Sequence, residues 1–569
     1  MRVRFAFLLV ALAGCSFDSA AVVETVDNRC GSDADCQAGV CDGDICIDDS
    51  NAVVELVIEV FGSSAEAHAA IPASWVFEAE RFSGSSVRDL VLPATREVRG
   101  TVRWDGLRVP ATLRFVRRMP GSVTPLEPVP VEVNTLREPA GGDGPESYDF
   151  SAVLVAGETY DVVVLPTSDM VMSPTNASAP AIRSLPPLYL EATVEGGDGT
   201  DPFRFDVSFP AGLTEECTDS RETTCTLEAN VVSFDGEVEM AEPGLQVRAI
   251  DANSSRVVSS IAETDESGRF AIRLGEDATD YLIRVTSSAG REPFPAVSVD
   301  PEVAFANDPV EKVIYIPRLS PVQLTGRVSD EEGAAVPGAT VRLLSNGIFG
   351  EGQLGLQGSF SNSTTTNEDG TFGVELLSGY YALTVTPPDD VETAWGVLSS
   401  DALVGQQSTT VDPLVVPSKL ELFGSVRTFQ DDAAAGVAVT ARARTSTELA
   451  SAHRSQEAVS DGEGVFAMLM DLGLYDMQVK IPSESGYPWL VEPALVMEQD
   501  LARNYLLQPP IRIEGAVIAS GGAPVPDTLI RASVLTADGS STRLIQVAET
   551  VSNEEGSYRL LIAPRLGDE

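Results

Sequence analysis

Residues 324–345, LTGRVSDEEGAAVPGATVRLLS, and residues 364–385, TTTNEDGTFGVELLSGYYALTV, carry the pattern that decides the fold. An alternating run ends in Gly326-x-Val328, and Val336-Pro337-Gly338-Ala339 then leads into a second alternating run through Val341. Asn367-Glu368-Asp369-Gly370 follows, with Phe372 two places beyond the glycine, and Gly379-Tyr380-Tyr381 opens a closing run. Acidic and amide residues before a glycine favour a tight turn, after which the aromatic can point into a core. Alternation of apolar and mixed residues is the period of a half-buried strand. Short strands at this spacing, without convincing helical periodicity, spell a small β-sandwich.

Outward from this stretch the chain repeats. Strand, proline, short link and a strand ending in Gly-x-Val recur at LVLPATREVRGTV (Gly100), VIYIPRLSPVQLTGRV (Gly326), LVVPSKLELFGSV (Gly424) and YLLQPPIRIEGAV (Gly515). LEANVV is a fifth copy, with Asn230 read at the glycine's place, the substitution expected where the backbone is left-handed or turning. The turn-plus-aromatic signature recurs at Gly268, Gly370, Gly464 and Gly556, and in blurred form around Gly144 and Tyr148. The closing strand recurs at Tyr160, Tyr281, Tyr381 and Tyr475.

With these motifs in place, residues 324–385 resemble a carboxypeptidase regulatory-like domain. The pattern G-x-V, P-x-x-G-A-x-V, D-G-x-F and G-x-Y-x-L matches Gly326–Val328, Val336–Val341, Asp369–Phe372 and Gly379–Val385. The resemblance implies an all-β fold of tandem transthyretin-like (prealbumin-like), seven-stranded sandwiches. It also implies no peptidase, since in metallocarboxypeptidases that domain follows a separate catalytic one. The match weakens outward: AAAGVAVTA replaces the P-G-A lead in the unit at Leu422, and the unit at Val98 holds a proline-rich insertion. The expected organisation after residues 1–14 and 15–50 is a β segment at 51–95, then repeats at 96–210, 227–318, 322–417, 420–509 and 511–569. The length of 569 residues, which alone suggests three to five domains, is thereby divided.

Residues 1–14, MRVRFAFLLVALAG, have a basic start (Arg2, Arg4) and an apolar run too short to span a bilayer, and so read as an export signal. Leu12-Ala13-Gly14-Cys15 resembles a bacterial lipobox, which implies diacylglyceryl attachment at Cys15 and a membrane partner through the lipid. Ser16 after that cysteine implies, by the same analogy, the outer membrane of the cell envelope. Of the chain's 7 cysteines, Cys15 leaves Cys30, Cys36, Cys41 and Cys46 in one cluster, and Cys217 with Cys225. In an oxidising compartment even sets read as disulfides, although the cluster allows three pairings. Its spacing lacks a CxxC pair for zinc. Asp33, Asp35, Asp42 and Asp44 could offer oxygens to calcium, but no twelve-residue calcium loop is present, and solvated acids fit better.

The balance of 85 acidic to 38 basic residues, a net charge of −47, repels phosphate backbones and speaks against nucleic-acid partners. That charge is spread along the whole row of repeats and not gathered in a tail. There are only 2 histidines, His68 and His453, and neither lies in HxxE or HExxH. Both read as ordinary surface or loop residues, and neither a GxSxG elbow nor a GxxxxGK loop occurs. The sequence therefore offers no catalytic residue, metal or cofactor, and reads as a non-enzyme. Trp395 and Trp489 each follow a closing tyrosine by the same interval, with Phe294 nearly so. They could stack on sugar rings, or seal the same edge of each core, and recurrence at one place favours sealing.

The last repeat stops after NEEGSYRLLIAPRLGDE, without a closing tyrosine strand. A sandwich in that state would expose unpaired edges. A fragment, a strand arriving in trans or a degenerate unit would each account for it, and a fragment is the expectation. Together these readings predict a lipid-anchored array of sandwiches projecting as a semi-rigid stalk for adhesion or scaffolding, through contacts with other envelope proteins. Glycan or peptidoglycan binding, or an accessory role in a larger envelope protein, stands beside it.

Overall fold

The computed structural model describes residues 28–565 apart from 37–38, 43, 49–51, 63–70, 120–125, 127, 137–139, 141–146, 168–184, 197–200, 220–221, 235–237, 288–293, 307–310, 349–356, 390–392, 445–452 and 539–540. The fold is all-β, and its apolar residues gather into five principal cores. We number the units built on these cores one to five along the chain.

Unit four gives the plan. Val465–Met470, Leu420–Thr428 and Leu501–Leu507 form one sheet, with Leu501–Leu507 parallel to Leu420–Thr428. Gln456–Val459, Ala438–Ala443, Gly473–Lys480 and Leu490–Met497 form the facing antiparallel sheet. Inward side chains such as Leu422, Val439, Phe466 and Met477 fill the space between them. Unit three repeats the order, with Thr409–Thr410 and Leu414–Val415 as its last strand. Units two and three also share a sheet: Ala296–Val299 pairs antiparallel with Gln357–Thr365, making eight strands in a row.

Unit five is assembled from both ends of the chain. Ile511–Ile518, Leu529–Asp538, Ser541–Val551 and Ser557–Ile562 supply its first four strands. Val53–Phe61 pairs antiparallel with Leu529–Asp538, taking the place that Gly473–Lys480 has in unit four. Ser74–Ser83 lies outside it, and Ser86–Val87 and Leu90–Val91 run parallel to Ile511–Ile518 as the last strand. Leu56, Ile58, Val60, Phe82, Leu90 and Leu92 from the N-terminal side share one core with Ile513, Val517, Ile530 and Tyr558. The strands expected to be missing are therefore present, and segment 51–95 is the completing part of the last unit. An open stalk is also corrected: with the two ends in one sandwich, the row of units closes on itself.

The turn signature works as its residues imply. Gly268, Gly370, Gly464 and Gly556 have φ of 76°, 77°, 77° and 74°. Each donates its N–H to the carbonyl three residues back, on Asp265, Asn367, Asp461 and Asn553. Phe270, Phe372, Phe466 and Tyr558 are consequently buried. In unit one the equivalent aromatic is Phe150, facing Gly100, and not Tyr148.

The Gly-x-Val signature has a different cause from the one expected. Gly100, Gly326, Gly424 and Gly515 sit within strands and have no left-handed backbone. What excludes a side chain is close approach: a Cβ on Gly424 would lie 1.5 Å from the Arg503 carbonyl oxygen, and one on Gly100 would lie 1.7 Å from that of Phe205. The equivalent in unit two is Ala229, opposite Phe270; Asn230 is one place further on. There the parallel strand Val313–Pro317 begins pairing only at Asn230, beyond the alanine.

Candidate functional site

The closing tyrosines are structural. Tyr160, Tyr281, Tyr381 and Tyr475 are buried. The Tyr381 hydroxyl donates to Leu377 O at 2.8 Å and that of Tyr475 to Asp471 O at 2.9 Å, each pinning the corner before its own strand. Burial pushes Tyr160 and Tyr381 up to about 12, so neither phenol ionises near neutrality.

The two tryptophans lie in unlike surroundings. Trp395 packs against the core of unit three at its joint with unit four. Its backbone bridges to Ser418, and its carbonyl accepts from Arg454 Nη2 at 2.9 Å. Arg454 also makes hydrogen bonds of 2.8 and 2.9 Å to the buried Asp471 carboxylate, and its Nη1 reaches Pro387 O at 3.1 Å. Lys419, nearly buried, bonds Asp389 in the same joint. The Lys419 hydrogen bond outweighs the opposing effect of burial and, helped by Gln456 and Arg454, holds Asp389 below its ordinary range.

Trp489 instead lines a cleft of about 430 Å³ between units four and five, with Glu484, Glu514, Glu549, Asn553 and Arg559 on its walls. The Lys480 ammonium sits 4.7 Å from the indole centroid, a cation–π contact. That volume falls in the range of small-molecule clefts, and an indole beside carboxylates and an amide is suited to a polyhydroxylated ligand. The structure therefore separates the two expected stacking residues; Trp395 belongs to a joint, Trp489 to a cleft. Phe294 packs on the core of unit two, as a sealing residue would.

The cleft adjoins the disulfide-tied segment, which sequence left with three pairings. The bonds are Cys30–Cys41 and Cys36–Cys46, with Cys217–Cys225 closing the loop that leads into unit two. Asn28 N donates to Ser485 O at 2.8 Å and Asn28 Nδ2 to Gly486 O at 2.9 Å, on unit four. Asp48 N donates to Pro510 O at 2.9 Å, Arg512 binds Asp42, and Ile45 and Ile47 pack on Leu561, all on unit five. This docking is not legible in the sequence, because its polar contacts and the small Ile45–Ile47–Leu561 cluster join residues hundreds of positions apart. The four aspartates are distributed: Asp35 accepts from Gly31 N and Ser32 N, Asp33 from Cys41 N, and Asp44 lies 3.5 Å from Arg559. They do not converge on a cation. The sulfurs of Cys30, Cys36 and Cys46 lie close together, but all are in disulfides.

His453 lies in a connection between strands, as one half of the expectation of a surface or loop histidine has it, but not at the surface. It is buried, donates from Nε2 to Leu474 O at 2.8 Å, and packs edge-on against Tyr475 with centroids 4.9 Å apart. Cys15 and His68 lie outside the described residues.

The family model of the carboxypeptidase regulatory-like domain matches residues 323–394, which is unit three. No curated protein matches the chain. Among solved structures, a streptococcal ancillary pilin is 11% identical with a TM-score of 0.20, covering 57% of this chain and 99% of that one. A minor pilin of Streptococcus agalactiae is 15% identical with a TM-score of 0.22, covering 33% of this chain and 96% of that one. The shaft pilin of Lactobacillus rhamnosus GG is 11% identical with a TM-score of 0.16, covering 34% and 97%. The class defined by the chain's own strand pairing is a multi-sandwich β protein. One of its units resembles a regulatory-like domain.

Proposed function

We propose that the chain is a non-catalytic protein of the cell envelope, held by a lipid on Cys15, that presents its circuit of sandwiches to other envelope molecules as a scaffold or adhesin. The observation that carries this reading is the seating of the disulfide segment across units four and five, directly after the lipobox. Between Cys15 and Asn28 the chain can span at most about 45 Å, so the joint of units four and five would lie within that distance of the lipid. Ser16 after the lipid cysteine favours, by analogy with other lipoproteins, the outer membrane as the site of anchorage. Fractionation of cells labelled with a radioactive fatty acid tests the anchor. The parent chain should carry label and sediment with membranes, whereas Cys15→Ser should be unlabelled and soluble. Sedimentation of Cys15→Ser with membranes would remove the lipid from the proposal.

The Trp489 cleft supports a second reading, binding of a glycan or peptidoglycan. On immobilised glycans, Trp489→Ala should lose retention with an unchanged melting temperature. Trp395→Ala, altering a joint, should retain binding and melt earlier. Equal retention by the parent and Trp489→Ala would retire the cleft as a glycan site.

A further inference from the structure

Unit five is completed by strands that reach it from the far end of the chain. No disulfide joins Val53–Val91 to residues 511–562; the two parts are held by strand pairing and a shared core. Without the N-terminal strands, Leu529–Asp538 and Ile511–Ile518 would each present an open edge, and Ile513, Ile530 and Tyr558 would face solvent. Such a half-sandwich needs a donor, and every copy of the chain carries the identical one.

The donor is not free to roam. Only Leu92, Pro93 and Ala94 separate its last strand from unit one, which begins at Thr95, so it travels with unit one. Gln508, Pro509 and Pro510 likewise bind unit five closely to unit four. Closure within one chain therefore requires units one to four to curve until their ends meet. Side-chain contacts between neighbouring units set this curvature. Among the contacts of the described residues, units one and two meet through Tyr189 Oη to Val257 O at 2.9 Å, Arg256 over the Tyr189 ring and Arg273 over the Trp104 ring. Arg117 of unit one stacks 4.0 Å from the Trp75 ring of the donor. A change of angle at one joint separates donor from acceptor in cis and leaves both intact for a neighbour.

We infer that unit five is an exchange site for a second copy of this chain: residues 53–91 of one molecule complete the C-terminal sandwich of another, through the same registers that close the monomer. Because the interface is identical in both forms, the choice between them is set by effective concentration. Dilute chains close on themselves, and crowded chains link.

Two chains, each with one free cysteine besides the native disulfides, test this in a Cys15→Ser background, one with Glu59→Cys and the other with Arg531→Cys. These positions face each other across the donor–acceptor pair, are not core residues, and are close enough for a disulfide. Neither chain alone can form the 59–531 bond within itself. The two are mixed, unfolded with native disulfides intact, refolded together and oxidised. A 59–531 linked dimer, identified by peptide mapping, is expected, and raising total chain tenfold should raise its ratio to monomer about tenfold. A third chain, with Asp401→Cys in place of Arg531→Cys, reports random collision. Product no greater than with this control, or no rise with concentration, overturns the inference. Light scattering of the Cys15→Ser chain without the added cysteines, after the same refolding, gives a second reading. Dimers or longer species growing with concentration support exchange, and monomer throughout opposes it.

Discussion

Units four and five have the same strand order but opposite chain histories. Unit four is one continuous run from Leu420 to Leu507, whereas unit five joins residues 53–91 to residues 511–562. In both, a seven-strand sandwich encloses a single core, so the fold is specified by edge complementarity and inward side chains, not by continuity. The difference lies in which contacts can be lost together. The strands of unit four follow one another within a single run of the chain, while half of unit five is held by pairing across more than four hundred residues.

The sharpest way to break the comparison is to delete residues 52–92. Amide exchange should rise throughout Ile511–Ile518 and Leu529–Asp538 to the level of unfolded chain, and stay slow in Val322–Ser329 of unit three. Protection in unit five that survived the deletion would mean its C-terminal half folds unaided. Next in size is Leu56→Ala. Leu56 is fully buried, and this truncation should cost about 2–5 kcal/mol. The loss should appear as earlier melting of unit five with unit four unchanged.

Much of this organisation is legible in the residues, and the missing part has a definite reason. Gly-turn signatures and their aromatics mark a strand pair within one unit, so local sequence contains both partners. Counted back from the last paired residue of its strand, Leu56 stands where Tyr475 and Tyr381 stand in units four and three. It lacks the tyrosine that marks that strand elsewhere, so within residues 53–91 the only repeat signature is the strand–proline copy that opens at Leu90. Gly424 was legible as a glycine but not as a close approach, because the Arg503 carbonyl that crowds it lies on a strand seventy-nine residues on. The cleft at Trp489 was half legible: the indole recurs in sequence, but its walls come from two units.

A smaller test contrasts turns within the two units. Gly464→Ala and Gly556→Ala each force a left-handed residue, costing about 1–3 kcal/mol. A new Cβ would also stand 2.5 Å from Val426 O in the first and 2.9 Å from Val517 O in the second. Chemical denaturation should show the larger loss for Gly464→Ala, and equal losses would mean that the contact is relieved by local shifts.

The smallest effect is a divergence with pH. Asp389, lowered by Lys419, lends stability that is complete above its ordinary value of 3.8 and is lost as pH falls through the lower folded value. Burial raises Glu59 of the donor strand above 4.5, against an opposing pull from Arg531. Its contribution is present below 4.5 and is lost as pH rises through the folded value. Between pH 6 and 3, the protection factor, which removes the intrinsic pH dependence of exchange, should therefore fall near Trp395 and rise in Val53–Phe61. Parallel changes at both places would contradict the assignment.

The docked disulfide segment has a mechanical consequence. A pull on the N-terminal end reaches Asn28 first, and Asn28 is fastened to unit four at Ser485 and Gly486. The same segment is fastened to unit five through Asp42 and Asp48. Tension is thus divided between two sandwiches before it reaches Val53, and the strand that closes the circuit is shielded from the load.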